Sequence, residues 1–166
     1  MCLGDAQKET EMKNLITCLV VCVLSGTCIA DTLHVPKEYP NIQYAIDAAG
    51  EGDEILVGPG TYTSTSDAVI DLRGKEIWVH SSGGEAVTII DGQGERRGIL
   101  CDNGETSNTI IEGFTITNSG YNSTGGGMYC DASDPTLTNC TFTNNSANFG
   151  GGIYCDSSDL TLTNCT

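Results

Sequence analysis

Aspartate follows cysteine at three places in the chain, Asp102, Asp131 and Asp156, and Asp134 recurs as Asp159 after 25 residues (159 − 134 = 25). If successive copies stack at the ~4.8 Å spacing of paired strands, these carboxylates repel one another. A hard cation with oxygen ligands would offset that repulsion, so Asp102, Asp131 and Asp156 are candidate calcium ligands. The preferred interpretation is that these side chains face water or form Asx-turns with their own backbone.

Cysteine forms a second recurring set, with five members after residue 30: Cys101, Cys130, Cys140, Cys155 and Cys165. Stacked copies would place Cys130 over Cys155, although aligned side chains in parallel strands seldom offer the dihedral angle that a disulfide needs. Buried free thiols that pack as small hydrophobic groups are equally compatible with the pattern. The two histidines, His34 and His80, have no second ligand at metal-binding spacing and are interpreted as ordinary residues.

The composition bounds the class of protein. Among 166 residues, 22 are acidic and 7 are basic, which gives a net charge of −15. Such a charge excludes a nucleic-acid binder that works through a basic face, and an acidic polysaccharide would need a bridging cation or a local basic spot. With 21 glycines and only 17% charged residues, the chain is typical of short strands joined by tight turns.

An internal repeat predicts the architecture. Residues 125–145, GGGMYCDASDPTLTNCTFTNN, recur at 150–166 as GGGIYCDSSDLTLTNCT, an offset of 25 residues (150 − 125 = 25). Periods of this length indicate a solenoid, and the short strand candidates cannot form a propeller blade of 40 or more residues. We therefore predict an all-β, right-handed parallel β-helix, since parallel crossovers are right-handed.

Stacking of the copies predicts which residues face the interior. The glycine triplets are expected to turn the chain with positive φ, and the threonines are expected to face water. The predicted ladders place Leu137 over Leu162, Cys140 over Cys165, Met128 over Ile153 and Cys130 over Cys155.

Residues 31–60 are predicted to form an amino-terminal cap and first strand, and residues 61–166 the coils. Ile42, Ala45, Ile46 and Ala49 have helical spacing, and EILV with GPG follows as a strand and a turn. A short amphipathic helix would cover the open end of the solenoid. Because the chain ends within a repeat and without a closing cap, we expect it to be a fragment of a longer protein.

The amino-terminal residues predict export. The uncharged run LITCLVVCVL at 15–24 is too short to span a bilayer, and Lys13 precedes it. Small residues lead to Ala30, which gives the layout of a secretory signal peptide with cleavage after Ala30. Met12 could be the true start, so residues 1–30 are interpreted as an upstream extension plus signal peptide. The mature chain is then expected to have no transmembrane helix.

Two parts of the chain resemble known families. IQYAIDAA at 42–49, GDEILVGPGTY at 52–62 and TIIDGQG at 88–94 resemble the start of pectin-lyase-like right-handed β-helix proteins. Residues 125–166 resemble the repeats of polymorphic outer-membrane proteins, whose Gly-Gly-x-Ile and Phe-x-x-Asn motifs match positions 150–153 and 142–145. The first resemblance implies the fold, and the second implies an outer-membrane or cell-surface location.

The pectin-lyase-like resemblance also implies an enzymatic alternative. Polysaccharide lyases on this fold use carboxylate-bound calcium beside a basic residue, which would assign Arg73, Arg96 or Arg97 as base. The cation ligands would then be Asp71, Asp91 or Asp102. No compact catalytic signature surrounds these residues, and we prefer a turn at Asp91 with Arg96 and Arg97 solvated at a coil corner.

These observations favour a secreted or surface-displayed scaffold for adhesion or carbohydrate binding over an enzyme. Flat faces rich in Thr and Asn suit contact with a polysaccharide or a cell-surface glycan. The alternative is a polysaccharide-acting enzyme, either a pectate-lyase-like lyase or a glycoside hydrolase.

Overall fold

The structure is a computed structural model that describes residues 29–166. The predicted extension and signal peptide lie outside the described residues, except for Ile29 and Ala30. Within the described part of the chain, no helix is long and apolar enough to cross a membrane.

The described residues form one helix and sixteen strands. The helix is α1 (Ile42–Ala48). The strands are β1 (Thr32–Val35), β2 (Glu54–Val57), β3 (Gly60–Tyr62), β4 (Ala68–Asp71), β5 (Trp78–Ser81), β6 (Thr88–Asp91), β7 (Arg97–Cys101), β8 (Ile110–Glu112), β9 (Thr115–Thr117), β10 (Gly120–Thr124), β11 (Met128–Asp131), β12 (Thr136–Thr138), β13 (Thr141–Thr143), β14 (Ser146–Phe149), β15 (Ile153–Asp156) and β16 (Thr161–Thr163).

All strand pairs are parallel, and each strand pairs with its counterpart in the next coil. The sheets are a six-stranded face (β1-β2-β5-β8-β12-β16), a four-stranded face (β4-β7-β11-β15), a second four-stranded face (β3-β6-β9-β13) and a two-stranded pair (β10-β14). We call the β4-β7-β11-β15 sheet the cysteine face. Together the sheets form a parallel β-solenoid of about 5 turns. The predicted β-helix with a short amino-terminal helix is confirmed.

An apolar ladder runs through the six-stranded face. Each member is in register with the next, in the order Leu33, Ile55, Val79, Ile111, Leu137 and Leu162. The first five are buried, whereas Leu162 on β16 is 49% exposed. Alternating residues of these strands face outward, as the period of two requires. The stacking predicted for Leu137 and Leu162 is therefore confirmed.

The cysteine face carries two further ladders. Ile99, Met128 and Ile153 are in register, and so are Cys101, Cys130 and Cys155. The predicted placements of Met128 over Ile153 and of Cys130 over Cys155 are confirmed.

Coil corners are formed by residues in the left-handed backbone region. Gln93, Asn118 and Asn144 follow β6, β9 and β13 with φ of 56°, 48° and 55°. Asn139 and Asn164 occupy the same position after β12 and β16, with φ of 53° and 51°. Asparagine tolerates this conformation better than most residues, which explains why it recurs after the strands.

The glycine triplets use the absence of a side chain in two ways. Gly125 and Gly150 open their triplets with φ of 67° and 64°, as predicted. Gly127 has no positive φ, but a Cβ atom there would collide with the carbonyl oxygen of Gly152. Close approach of successive coils, rather than turning, therefore requires the third glycine.

Helix α1 is held by both of its ends. The side chain of Asn41 accepts a hydrogen bond from the Tyr44 backbone N–H at 2.9 Å, a standard N-cap. At the other end, Lys75 Nζ donates to the carbonyl oxygens of Ile46, Asp47 and Ala49 at 2.6, 3.0 and 2.7 Å. A lysine at this position satisfies carbonyls that have no partner within the helix and complements the helix dipole.

The helix also covers the outer edge of β4, the first strand of the cysteine face. The Gln43 amide accepts from Asp71 N–H at 2.7 Å and donates to Asp71 C=O at 3.1 Å. One side chain thus replaces the backbone partner that a neighbouring strand would provide. Covering an edge in this way removes a template for edge-to-edge association.

A buried carboxylate links three coils. Glu105 is 2% exposed, and its two oxygens accept from Gly74 N–H at 2.8 Å, Asn103 N–H at 3.0 Å and Ser133 Oγ–H at 2.8 Å. Ser133 N–H in turn donates to Ser158 Oγ at 3.1 Å in the following coil. Since each oxygen has a donor, the buried carboxylate of Glu105 is fully hydrogen-bonded and links the coils.

We predict that Leu137→Asp lowers the free energy of unfolding by more than about 3 kcal/mol, because it buries an unpaired carboxylate. Leu162→Asp is the matched control, since it changes the same ladder position where the side chain is 49% exposed. It should cost less than about 1 kcal/mol. Urea unfolding followed by far-UV circular dichroism measures both, and equal losses would contradict the ladder.

Candidate functional site

A stripe of stacked side chains crosses the cysteine face. The guanidinium of Arg97 lies 3.5 Å from the ring centroid of Tyr121 and 4.6 Å from that of Tyr129. Arg97 Nε donates to the Thr124 carbonyl at 3.2 Å. Tyr129 stacks on Tyr154, with centroids 5.7 Å apart and an interplanar angle of 3°. We call Arg97, Tyr121, Tyr129 and Tyr154 the tyrosine stripe; its cation–π contacts hold the rings in place across successive coils.

Tyr121 also borders an open groove of about 670 Å³, which we call the Tyr121 groove. Its side-chain lining is polar and consists of Glu95, Asn122, Ser123 and Asn148, with Gly94, Gly120, Ser146 and Ala147 beside them. The Asn148 amide donates to the Asn122 carbonyl at 2.6 Å. The volume lies within the range of about 300–1,000 Å³ that is usual for small-molecule sites.

An irregularity in strand pairing shapes this groove. Tyr121 pairs with Ala147 and Thr124 pairs with Phe149, so Asn122 and Ser123 oppose a single residue of β14. Bulges of this kind re-aim side chains and are common next to functional sites. Here the bulge adds one polar residue to the groove wall.

The three candidate calcium ligands lie next to the stripe. Asp131 and Asp156 are in register, and Asp102 follows Cys101, the partner of Cys130. Burial raises the pKa of Asp102, and the neighbouring carboxylates of Asp71, Glu105 and Asp131 raise it further, while Arg97 lowers it. The carboxylates therefore do repel one another, as the sequence suggested.

The contacts of these aspartates are local. Asp102 accepts from the Asn103 side chain at 2.7 Å, and Asp156 accepts from Ser157 Oγ at 3.3 Å. Asp102 and Asp156 face solvent, as the preferred interpretation expected. Among residues 29–166, no group of three or more His, Cys, Asp or Glu side chains is arranged to hold a metal ion. The calcium site stays a prediction.

Asp134 takes a different part in the stack. Its Oδ1 accepts from the backbone N–H of Asp159 at 2.6 Å, so the repeated aspartate links one coil to the next. Asp91 forms the expected Asx-turn, because its Oδ1 accepts from Gln93 N–H at 2.8 Å and also from the Asn118 amide at 2.9 Å. Asp91 therefore meets the turn interpretation, whereas Asp134 accepts from the following coil and not from its own turn.

The three candidate basic residues lie in separate surroundings. Arg73 pairs with Asp71 at 3.2 Å and with Asp47 at 3.7 Å. Arg96 pairs with Glu95 at 3.2 Å and donates to the Gln93 side chain at 2.7 Å. The expectation that Arg96 is solvated is wrong, because its side chain is only 12% exposed.

Arg97 differs from its expected position. The expectation that it is solvated at a coil corner is wrong, because it lies within β7 between the rings of Tyr121 and Tyr129. As the first residue of β7, it lies within reach of both tyrosines.

A second aromatic cluster lies on the six-stranded face. Trp78, which is 39% exposed, stacks on His80 with centroids 3.9 Å apart, and its Nε1–H donates to Glu112 at 3.3 Å. His80 Nε2 lies 2.6 Å from Glu54 Oε1. Hydrogen bonds from Thr32 and then from His80 lower the pKa of Glu54. His80 is thus a hydrogen-bond partner of Glu54, which was not anticipated beside it.

The five cysteines that the structure describes are free thiols. Cys101, Cys130 and Cys140 are buried. Burial raises the pKa of Cys130 and of Cys140 to about 11, and that of Cys101 well above its usual value. Protonated, buried thiols act as small hydrophobic groups, one of the two alternatives that the sequence left open.

Comparison with known proteins adds no relative. No family model, no curated protein and no solved structure matches the chain. The resemblances to pectin-lyase-like proteins and to polymorphic outer-membrane proteins stay predictions, and the site must be judged on its own geometry.

We predict that the free energy of unfolding falls as pH rises from about 9 through about 11. In the unfolded chain Cys130 and Cys140 lose their protons near pH 9, whereas in the folded chain they keep them until about pH 11. The slope contributed by each thiol is at most about 1.4 kcal/mol per pH unit. Urea unfolding at several alkaline pH values measures it. The double variant Cys130→Ala, Cys140→Ala should flatten the slope, and an unchanged slope would contradict the assignment.

Proposed function

We propose that this protein is an exported, surface or extracellular β-helix scaffold that binds carbohydrate without transforming it. The single observation that carries the proposal is the rigid ring of Tyr121 at the edge of a polar groove of about 670 Å³. Sugar rings present C–H faces that pack on aromatic rings, and their hydroxyls exchange hydrogen bonds with amide and hydroxyl side chains.

The groove supplies both kinds of contact. Asn122, Ser123 and Asn148 offer donors and acceptors on one side of Tyr121. On the other side, Tyr129 and Tyr154 extend the aromatic surface along the solenoid axis. A linear glycan suits such a surface because its sugar units repeat along one direction, as the coils of the solenoid do.

Preorganisation supports binding at this site. The Arg97 side chain is fixed by two rings and by the Thr124 carbonyl, so Tyr121 is already ordered without a ligand. Ordering of side chains is among the costs of association, and a rigid aromatic group reduces it.

Export and surface display rest on other parts of the chain. The signal-peptide pattern of residues 12–30 supports export, and the resemblance of residues 125–166 to outer-membrane repeats supports a location at the cell surface. The net charge of −15 argues against nucleic acid as a partner. Adhesion to a glycan-bearing surface is consistent with all three features.

We predict that Tyr121→Ala weakens glycan binding by about tenfold or more, because it removes the ring that borders the groove. Tyr44→Ala is the matched control, since Tyr44 is 57% exposed on α1 and lies outside the groove. It should bind as the unmodified protein does. Binding is measured by isothermal titration calorimetry after screening on an immobilised glycan panel.

The same panel tests the enzymatic alternative. Incubation of acidic and neutral polysaccharides with the protein, with calcium and with chelator, is expected to yield no new reducing ends or unsaturated products. Turnover that is lost on changing Arg73, Arg96 or Arg97 would overturn the proposal in favour of a lyase or hydrolase. Equal binding by the Tyr121→Ala and Tyr44→Ala variants would overturn the assignment of the groove.

A further inference from the structure

We infer that the Tyr121 groove selects uncharged glycans and rejects polyuronates. This inference rests on the proposed function and adds the class of ligand to it.

The charged residues that line the groove disfavour an anionic ligand. Among the described residues that border it, no lysine or arginine is present, and Glu95 is the only carboxylate. Glu95 is 76% exposed and pairs with Arg96 at 3.2 Å. A uronate carboxylate placed here would meet a like charge, whereas sugar hydroxyls would meet Asn122, Ser123 and Asn148.

Both guanidinium groups near the groove are already engaged, that of Arg96 with Glu95 and that of Arg97 with two tyrosine rings. Arg97 faces the rings of Tyr121 and Tyr129, and its Nε–H donates to the Thr124 carbonyl. To pair with a uronate it would have to leave these contacts and release Tyr121. Arg97 is therefore a positioning residue for the aromatic ring and not an anion-binding residue.

The negative charge of the whole chain also disfavours an anionic ligand. The chain carries 22 acidic and 7 basic residues. Asp102 and Asp131 lie beside the stripe: Arg97 is close enough to lower the pKa of Asp102, and Asp131 is close enough to raise the pKa of Tyr129. At low ionic strength such charges act over a Debye length of ~30 Å, so a polyanion is repelled before it reaches the groove.

The experiment compares glycans of matched length and linkage that carry either a neutral group or a carboxylate on each sugar. Three pairs serve as probes: methyl-esterified and free hexagalacturonate, β-1,4-linked mannohexaose and the β-1,4-linked mannuronate hexamer, and cellohexaose and its uronate counterpart. Binding to the full chain is measured by calorimetry at about 10 mM and at about 1 M salt, where the Debye length is ~30 Å and ~3 Å, respectively.

In every pair that binds, the neutral member should bind at least about tenfold more tightly at low salt, and the gap should shrink at high salt. Glu95→Gln should raise the affinity for the uronate relative to its neutral partner by roughly fivefold. Glu85→Gln is the matched control, an exposed glutamate outside the groove, and should leave the ratio unchanged.

The failures are distinguishable. A uronate that binds as tightly as its neutral partner, or more tightly, at low salt would overturn the inference and leave carbohydrate binding intact. Absence of binding to every member of all three pairs and to the wider panel would overturn the proposed function and the inference together. Tightest binding of an amine-bearing glycan, tested with chitosan against its N-acetylated form, would overturn the selection of uncharged ligands.

Discussion

Parallel pairing between successive coils is the constraint on which the rest of this molecule depends. Each coil is too short to bury its own apolar side chains, and only the next coil, at the ~4.8 Å spacing of paired strands, completes their burial. Ile111 is buried because Val79 and Leu137 lie in register on either side of it. Burial and backbone pairing therefore reinforce one another. Between the strands, hydrogen bonds such as those accepted by Glu105 connect the turns of successive coils.

The candidate site follows from the same register. Pairing of β7 with β11 sets Leu100 opposite Tyr129, and the guanidinium of Arg97, at the start of β7, lies over the ring of Tyr129. The irregular pairing of β10 with β14 then places Tyr121 on the other side of the guanidinium. The stripe thus combines a regular ladder with one local departure from it. A shift of a single residue would turn the stripe's side chains to the opposite face of the sheet.

Much of the fold could be predicted from the sequence, because the repeat at 125–166 predicts the strand register. Leu137 aligns with Leu162 when the two copies are superimposed, and the two residues are paired in the structure. The stacked Tyr129 and Tyr154 precede the repeated cysteines and were open to the same argument. The position of Arg97 against Tyr121 was not, since it depends on a bulge that no residue spacing specifies. Nor was Glu105, because an isolated glutamate gives no sign of burial until its three donors are assembled from separate coils.

The most direct test of this architecture is methyl–methyl NOE spectroscopy on a sample labelled at Ile, Leu and Val. The ladder of the six-stranded face predicts cross-peaks from Ile111 to Val79 and to Leu137, and from Val79 to Ile55, in the order of the coils. Ile111 should show no direct cross-peak to Ile55, two coils away. Cross-peaks that join Ile111 to Ile55 but not to Val79 would contradict the register and, with it, the placement of the proposed binding surface.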